Sequence, residues 1–252
     1  MNPAAQSIIN RVLVGTLLLS LGAVLGVYIG IRRDPVWVPL FNGENLEGWT
    51  VRASEADSGK DFWRVANGEI ICDSTSNKAE RAVWLEHALV IDDFELRLKF
   101  KTYSGLQGNS GIQIRSRWEE GSGGKMHGPQ IDIHPPAPWR TGLIYDETIG
   151  ENRWISPSLP DLKIDENQGP SRWVFHFTGD PQPWNELIIR CEGTKITTLV
   201  NRMEISDFDG AGILDNPNHQ KYGVGMLGNI ALQLHANHEL KIHFKDILVR
   251  KL

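Results

Sequence analysis

The chain has 252 residues, 40% hydrophobic and 23% charged, which is the composition of a folded globular protein and not of a disordered or collagen-like one. Its 26 basic and 31 acidic side chains give a formal charge of −5. The first 33 residues hold three of the arginines (Arg11, Arg32, Arg33) and no acid, so the remaining 219 carry −8, the wrong sign for a protein that tracks nucleic-acid phosphates.

From the N-terminus, Val12 to Ile31 (VLVGTLLLSLGAVLGVYIGI) contains no charge. As a helix rising about 1.5 Å per residue it is long enough to cross a hydrocarbon core of about 30 Å. Residues 1–33 are therefore expected to be a membrane anchor or signal sequence. Leu21-Gly22-Ala23 makes a poor cleavage site, which favours an uncleaved anchor with the domain outside the cytoplasm, periplasmic or extracellular, and a secreted domain if the segment is removed. Arg11 flanks one side and Arg32-Arg33 the other, so the positive charges do not set the orientation.

Residues 34–252 read as one all-β domain. Phe62 to Val65 and Glu69 to Cys72 flank Asn67-Gly68, a pair suited to the positive φ angles of a tight hairpin. Strict alternation marks Phe94 to Phe100, Gly111 to Arg115, Gln130 to His134, Ile230 to His235 and Leu240 to Phe244; further strands are expected at Arg172 to Thr178, Glu186 to Cys191 and Ile196 to Val200. Many short strands separated by turns indicate a two-sheet antiparallel β-sandwich or jelly roll with little helix. Trp139 to Pro170, with Pro157, Pro160 and Pro170, reads as a long excursion over one end. Cys72 and Cys191 show no metal-ligand spacing and read as small buried hydrophobes, with a single bridge in an oxidising compartment as the alternative.

Successive side chains of a strand point to opposite faces. Burying the aliphatic residues sends Arg97, Lys99, Gln113, Arg115, Gln130, Asp132, His134, Gln233 and His235 to the polar side. The plain reading is the wetted face of an antiparallel sheet. The richness in Gln, Asp, His and Arg suits instead a site that binds polyols. Trp118, Trp139 and Trp154, beside Gly and Pro, are candidate platforms for sugar rings, with core filling as the alternative. Nucleophile-elbow, phosphate-loop, zinc-protease and dinucleotide motifs are all absent, and no strand carries the paired carboxylates of ordinary glycoside hydrolysis.

Several motifs occur together in order: LFNGENLEGW (Leu40 to Trp49), GNSGIQIRS (Gly108 to Ser116), GPQIDI (Gly128 to Ile133), GLIYDE (Gly142 to Glu147), WNELIIRCEGTKI (Trp184 to Ile196) and the closing GNIALQLH and LKIHFKDILVRKL. Over about Pro39 to Leu252 the chain resembles the 3-keto-disaccharide hydrolase family. The resemblance implies a concanavalin A-like sandwich, export from the cytoplasm, and action on glycosides whose C3 hydroxyl is oxidised to a ketone. Relatives carry a Glu in a G-x-E-x-Q-I pattern, whereas this chain has the Q-x-D-I and L-Y-D-E version, which shifts the expected base to Asp132.

A C3 ketone acidifies the C2 hydrogen, so a base can start an elimination that expels the C1 substituent, and water then adds to the product. The expected catalytic set is Asp132 or His134 as base, Arg115 on the enolate oxygen, and Tyr145 or Glu147 as the acid for the leaving group. Lys99, Gln113, Gln130, Gln233, His235, Trp118, Trp139 and Trp154 are the expected substrate-binding residues. No cofactor is expected; a divalent metal on Asp132, His134 and His235 is the minority alternative. The expected partners are a carbohydrate and, through the N-terminal segment, a membrane. Two rival readings are a non-catalytic carbohydrate-binding module and a membrane-tethered interaction domain.

Overall fold

Alternating strands need one dry face, and two such sheets supply it to each other. A computed structural model describes residues 36–103, 106, 108–121, 123–134, 139–156, 174–176 and 183–252. In chain order the strands are β1 (Val38–Pro39), β2 (Trp49–Arg52), β3 (Trp63–Ala66), β4 (Glu69–Asp73), β5 (Val83–Ile91), β6 (Phe94–Thr102), β7 (Ser110–Glu119), β8 (Lys125–His127), β9 (Pro129–Ile133), β10 (Ile144–Asp146), β11 (Arg153–Ser156), β12 (Asn185–Glu192), β13 (Lys195–Val200), β14 (Met203–Asp209), β15 (Gly228–Leu234) and β16 (Lys241–Lys251). One sheet runs β14-β13-β12-β6-β16-β4-β3 with β1 added to β16; the other runs β11-β10-β9-β7-β15-β5-β2 with β8 added to β7. Neighbours are antiparallel, as in the pairs β12/β6 and β15/β7. Residues Trp37–Leu252 form one compact unit.

The core is made by the inward face of each alternating strand. Phe94, Leu96, Leu98 and Phe100 of β6, and Ile112, Ile114, Ile131, Ile133, Ile230 and Leu232 of the other sheet, are all buried in a single apolar cluster. Asn67 (φ 54°) and Gly68 (φ 73°) close the β3–β4 hairpin with the expected pair of positive φ angles. The one α-helix among the described residues is short, Pro217–Tyr222. Asn216 caps it by accepting from the His219 amide, Pro217 opens it, and Gly223 (φ 65°) ends it.

Three expectations change. First, β6 belongs to the sheet opposite the one that holds β7, β9 and β15. Its polar residues Arg97 and Lys99 therefore point away from theirs, and Lys99 pairs with Asp246; period-two alternation fixes a residue's face but not its sheet. Second, the stretch after Trp139 is not simply an excursion, since β10 and β11 extend the second sheet by pairing with β9 and with each other. Third, within Arg172 to Thr178 only residues 174–176 are described, and they are turn and coil. The reading of the cysteines as small buried hydrophobes holds: Cys72 on β4 and Cys191 on β12 are free and buried. Two strands lie between them in the sheet, a separation of about 14 Å at the usual strand spacing, too far for a bridge.

The expected membrane segment at residues 1–33 lies outside the described residues, among which no helix is long and apolar enough to cross a membrane.

Candidate active site

The outward face of the second sheet is organised in rows across strands. Tyr145 of β10 sits opposite Gln130 of β9, which sits opposite Gln113 of β7. In the next row Asp132 is opposite Gly111, and across β15 and β5 Gln233 is opposite Trp84. Gly111 leaves the space that the Gln130 side chain occupies: a Cβ there would stand 2.5 Å from Gln130 Cδ and 2.8 Å from its Nε2. Gly111→Ala is thus expected to displace the Gln130 amide from Asp132 and to lower kcat/KM on a cleaved substrate by about tenfold, with a stability loss within about 1 kcal/mol because the neighbour is a movable side chain; steady-state kinetics and thermal unfolding check both halves.

Over these rows lies a cavity of about 420 Å³ lined by Asn109, Gln130, Asp132, Arg140, Tyr145, Glu147, Trp154, His235 and His238. Asp132 is held at 1% exposure, with Gln130 Nε2 donating to Oδ1 at 3.3 Å. Arg140 Nε lies 3.2 Å from Asp132 Oδ2. That is a charge contact too poorly aligned for a hydrogen bond, and both atoms lack a hydrogen-bond partner. The same guanidinium donates from Nη2 to His134 Nδ1 at 2.6 Å and stands 5.3 Å from the Trp154 ring centre, with Tyr145 edge-on to Trp154. His235 and His238 stack at 4.4 Å, and His238 Nδ1 accepts from the Asn109 amide.

Glu147 follows β10 with the same parity as Tyr145, and its amide donates to the Gly128 carbonyl. Asp146, of opposite parity, turns the other way and is clamped by His219 of the short helix, Nε2 to Oδ2 3.1 Å, both side chains fully buried. The two acids of the YDE motif thus divide between anchoring the strand and facing the cavity.

Burial pushes the Asp132 carboxyl up to about 7, against the pull of Arg140 and of hydrogen bonds from Asn109 and Gln130. Burial and then the negative charge of Asp132 push Glu147 up to about 7, opposed by Lys125 and a Gln233 hydrogen bond. Burial and the Arg140 charge drive His134 down to about 3, so it is neutral. Burial and Glu147 raise Tyr145 to about 12. Unsatisfied buried atoms concentrate here: Asn109 Oδ1, Gln130 Oε1, Asp132 Oδ2 and Gln233 Oε1 have no partner. Native interiors leave few such atoms, and these lie along the cavity and the groove beside it, where hydroxyl and amide groups can pair with them.

The structure gathers Gln130, Asp132, Tyr145, Glu147, Trp154 and His235 in one cavity, with Gln233 in the groove next to it. It corrects others. Arg115 sits at a bulge in β7 with φ 48°, which breaks the alternation with Gln113. It is fully buried, bonded to the carbonyls of Asp92, Gly193 and Gly225 and to Asp93. Lys99 is on the opposite sheet, as above. Trp118 packs with the Trp84–Met126 cluster, and Trp139 is a core residue edge-on to Phe175. Gln113 is fully buried under its neighbour Gln130 and accepts from Ser116. Trp154 lines the cavity, but Arg140 lies over its ring. His134 holds Arg140 rather than lining the cavity.

Asn109, Arg140 and His238 were not anticipated. Asn109 stands inside the GNSG motif, and His238 three residues after His235, which are usable signals; Arg140 follows Trp139 in a loop with no periodicity to mark it. Among the described residues no group of three or more His, Cys, Asp or Glu side chains is arranged to hold a metal ion, and the guanidinium of Arg140 stands between Asp132 and His134, where the metal alternative needed both as ligands.

A family model for the 3-keto-alpha-glucoside-1,2-lyase-like domain matches residues 36–250. Two solved structures from Parabacteroides distasonis ATCC 8503, each provisionally described as a glycosyl hydrolase, align with a TM-score of 0.52: one at 19% identity over 86% of this chain and 94% of the other, the second at 20% over 86% and 100%. A Bacillus subtilis protein described as having a galectin-like fold also aligns with a TM-score of 0.52, at 10% identity over 86% of this chain and 94% of the other. At these identities the likenesses establish the sandwich fold. No curated protein matches the chain.

Proposed function

The chain belongs to the 3-keto-alpha-glucoside-1,2-lyase-like family, and from that membership together with the two carboxyls of the cavity we propose that it cleaves 3-keto-glycosides by elimination across C1 and C2. The observation that carries the reading is that Asp132 and Glu147, both displaced to about 7, share one polar cavity with a single guanidinium. Environments of this kind keep one carboxyl ionised and its neighbour protonated near neutrality.

Asp132, the one nearer Arg140, is the base. It takes the C2 proton, and the C–H electron pair becomes the enolate C2=C3–O⁻, stabilised by Arg140 in place of the expected Arg115. The enolate reforms the ketone as C1=C2 develops and the C1–O bond breaks; Glu147 gives its proton to the departing oxygen. Addition of water at C1 of the enone restores a 3-keto sugar, so that the net change is hydrolysis. His134, neutral and engaged by Arg140, orients that cation. Val12 to Ile31 is the feature that supports a further part of the proposal, a membrane tether with the domain outside the cytoplasm, which alkaline extraction of membranes and protease accessibility of intact cells would test.

Incubating the protein with 3-keto-trehalose or 3-keto-sucrose is expected to release free hexose, and the unoxidised disaccharides are expected to be inert; release from the latter instead would replace elimination by conventional hydrolysis. Because activity needs Asp132 ionised and Glu147 protonated, kcat/KM is expected to fall both below and above about pH 7, with apparent pKa values that belong to the pair. Glu147→Gln is expected to cost about 10²-fold or more on a sugar leaving group. A 3-keto-glucoside of p-nitrophenol, whose departing oxygen needs no proton, should be largely spared.

A further inference from the structure

Glu147 and His235 line not only the cavity at Asp132 but also a groove of about 890 Å³ on the same sheet face, so the two are contiguous and Glu147 stands at their junction. Trp84 and Gln233, cross-strand partners 2% and 1% exposed, line this groove. Trp84 Nε1 and Gln233 Oε1 are buried without a hydrogen-bond partner. An indole N–H only donates and an amide oxygen only accepts, and a hydroxyl-bearing ligand satisfies both. With Glu147 carrying its proton, the charged side chains along the groove balance, Glu55 and Glu80 against Arg81 and Lys125, which favours a neutral ligand. One wall is fixed in advance: buried Asp57 accepts from the amides of Glu80 and Arg81 and from the Ser54 hydroxyl.

Resting on the elimination reading above, we propose that this groove receives the leaving group and that the leaving group is a neutral oligosaccharide of two rings, the groove having about twice the volume of the cavity assigned to the oxidised ring. The position of Glu147 at the junction is where a proton must be delivered to the bond being broken.

The test uses the full chain with three substrates that share a 3-keto-glucosyl group: its methyl glycoside, a disaccharide and a trisaccharide. The expected result is a kcat/KM that rises about tenfold or more from the methyl glycoside to the trisaccharide. Trp84→Phe, which keeps the packing ring and removes the donor, is expected to lower the trisaccharide-to-methyl ratio about tenfold, the effect of losing one hydrogen bond in a buried site. Ala56→Trp, at an exposed groove position where added bulk does not touch the core, is expected to lower the same ratio. Equal rates on all three substrates, or a ratio that neither variant moves, would overturn the inference while leaving the elimination intact. Failure on all three substrates would overturn the elimination itself. Calorimetric binding of the unoxidised trisaccharide then still decides the groove, since weaker binding to Trp84→Phe than to wild type is required.

Discussion

Asp132→Asn is expected to abolish the release of hexose from a 3-keto-disaccharide, lowering kcat by about 10²–10⁴, while the protein becomes more stable at neutral and alkaline pH. The two effects have one cause. In the folded protein the Asp132 carboxyl is pushed from 3.8 to about 7 by burial, so between those values the native state binds a proton that the unfolded chain has released. Stability therefore falls as pH rises through that window, and above it the native protein maintains an ionised carboxylate in a site that would prefer it neutral. Asn keeps the shape and removes that charge. The expected gain is about 1–2 kcal/mol at pH 8, within the range seen when a functional site is relieved of its strain, and it should vanish below about pH 3, where wild-type Asp132 is protonated in both states. Denaturant unfolding at the two pH values checks the stability half, and retained turnover at either would remove Asp132 from the mechanism.

The sandwich was legible because its strands obey the period of two: β6, β7, β9, β15 and the start of β16 are each marked by alternation, and the β3–β4 hairpin by Asn67-Gly68. The same rule brought Gln130, Asp132, Gln233 and His235 to one face. It failed in two places for a physical reason each. Alternation carries no information about which sheet a strand joins, so it groups Lys99 with residues that lie on the far side of the core. Nor does it survive a bulge: the positive φ of Arg115 reverses the direction of the residue that motif and parity both favoured. Strands marked neither by alternation nor by a flanking turn pair escape the rule. In β5 the first four residues, Val83 to Glu86, are all buried, so neither face has a polar period to display. Loop residues such as Arg140 obey no period, and only the closing of the chain puts that guanidinium beside Asp132, where the mechanism needs a cation.

Arg115→Met is expected to be strongly destabilising, by about 3–5 kcal/mol, because one buried guanidinium is the shared donor to three backbone carbonyls. The guanidinium is fully buried and bonds at once to the Asp92 carbonyl (2.6 Å), the Gly193 carbonyl (2.6 Å) and the Asp93 carboxylate (2.8 Å). It thereby ties the β5–β6 turn, which crosses from one sheet to the other, and the β12–β13 turn of the first sheet to β7 of the second. The Arg115 carbonyl also accepts from the Gly225 amide, and the bulge is packed so closely that a Cβ on Gly228 would stand 2.4 Å from the Arg115 carbonyl carbon. Methionine fills part of the volume but leaves three backbone carbonyls and the Asp93 carboxylate without their donor. For a domain of this size the midpoint of thermal unfolding should drop by about 6–20 °C. Activity per folded molecule, measured well below that midpoint, should stay within about twofold of wild type, because the residue contacts neither Asp132 nor Glu147. A catalytic arginine would show the reverse pattern, a normal melting temperature with lost turnover, and that pattern is instead expected of Arg140→Met.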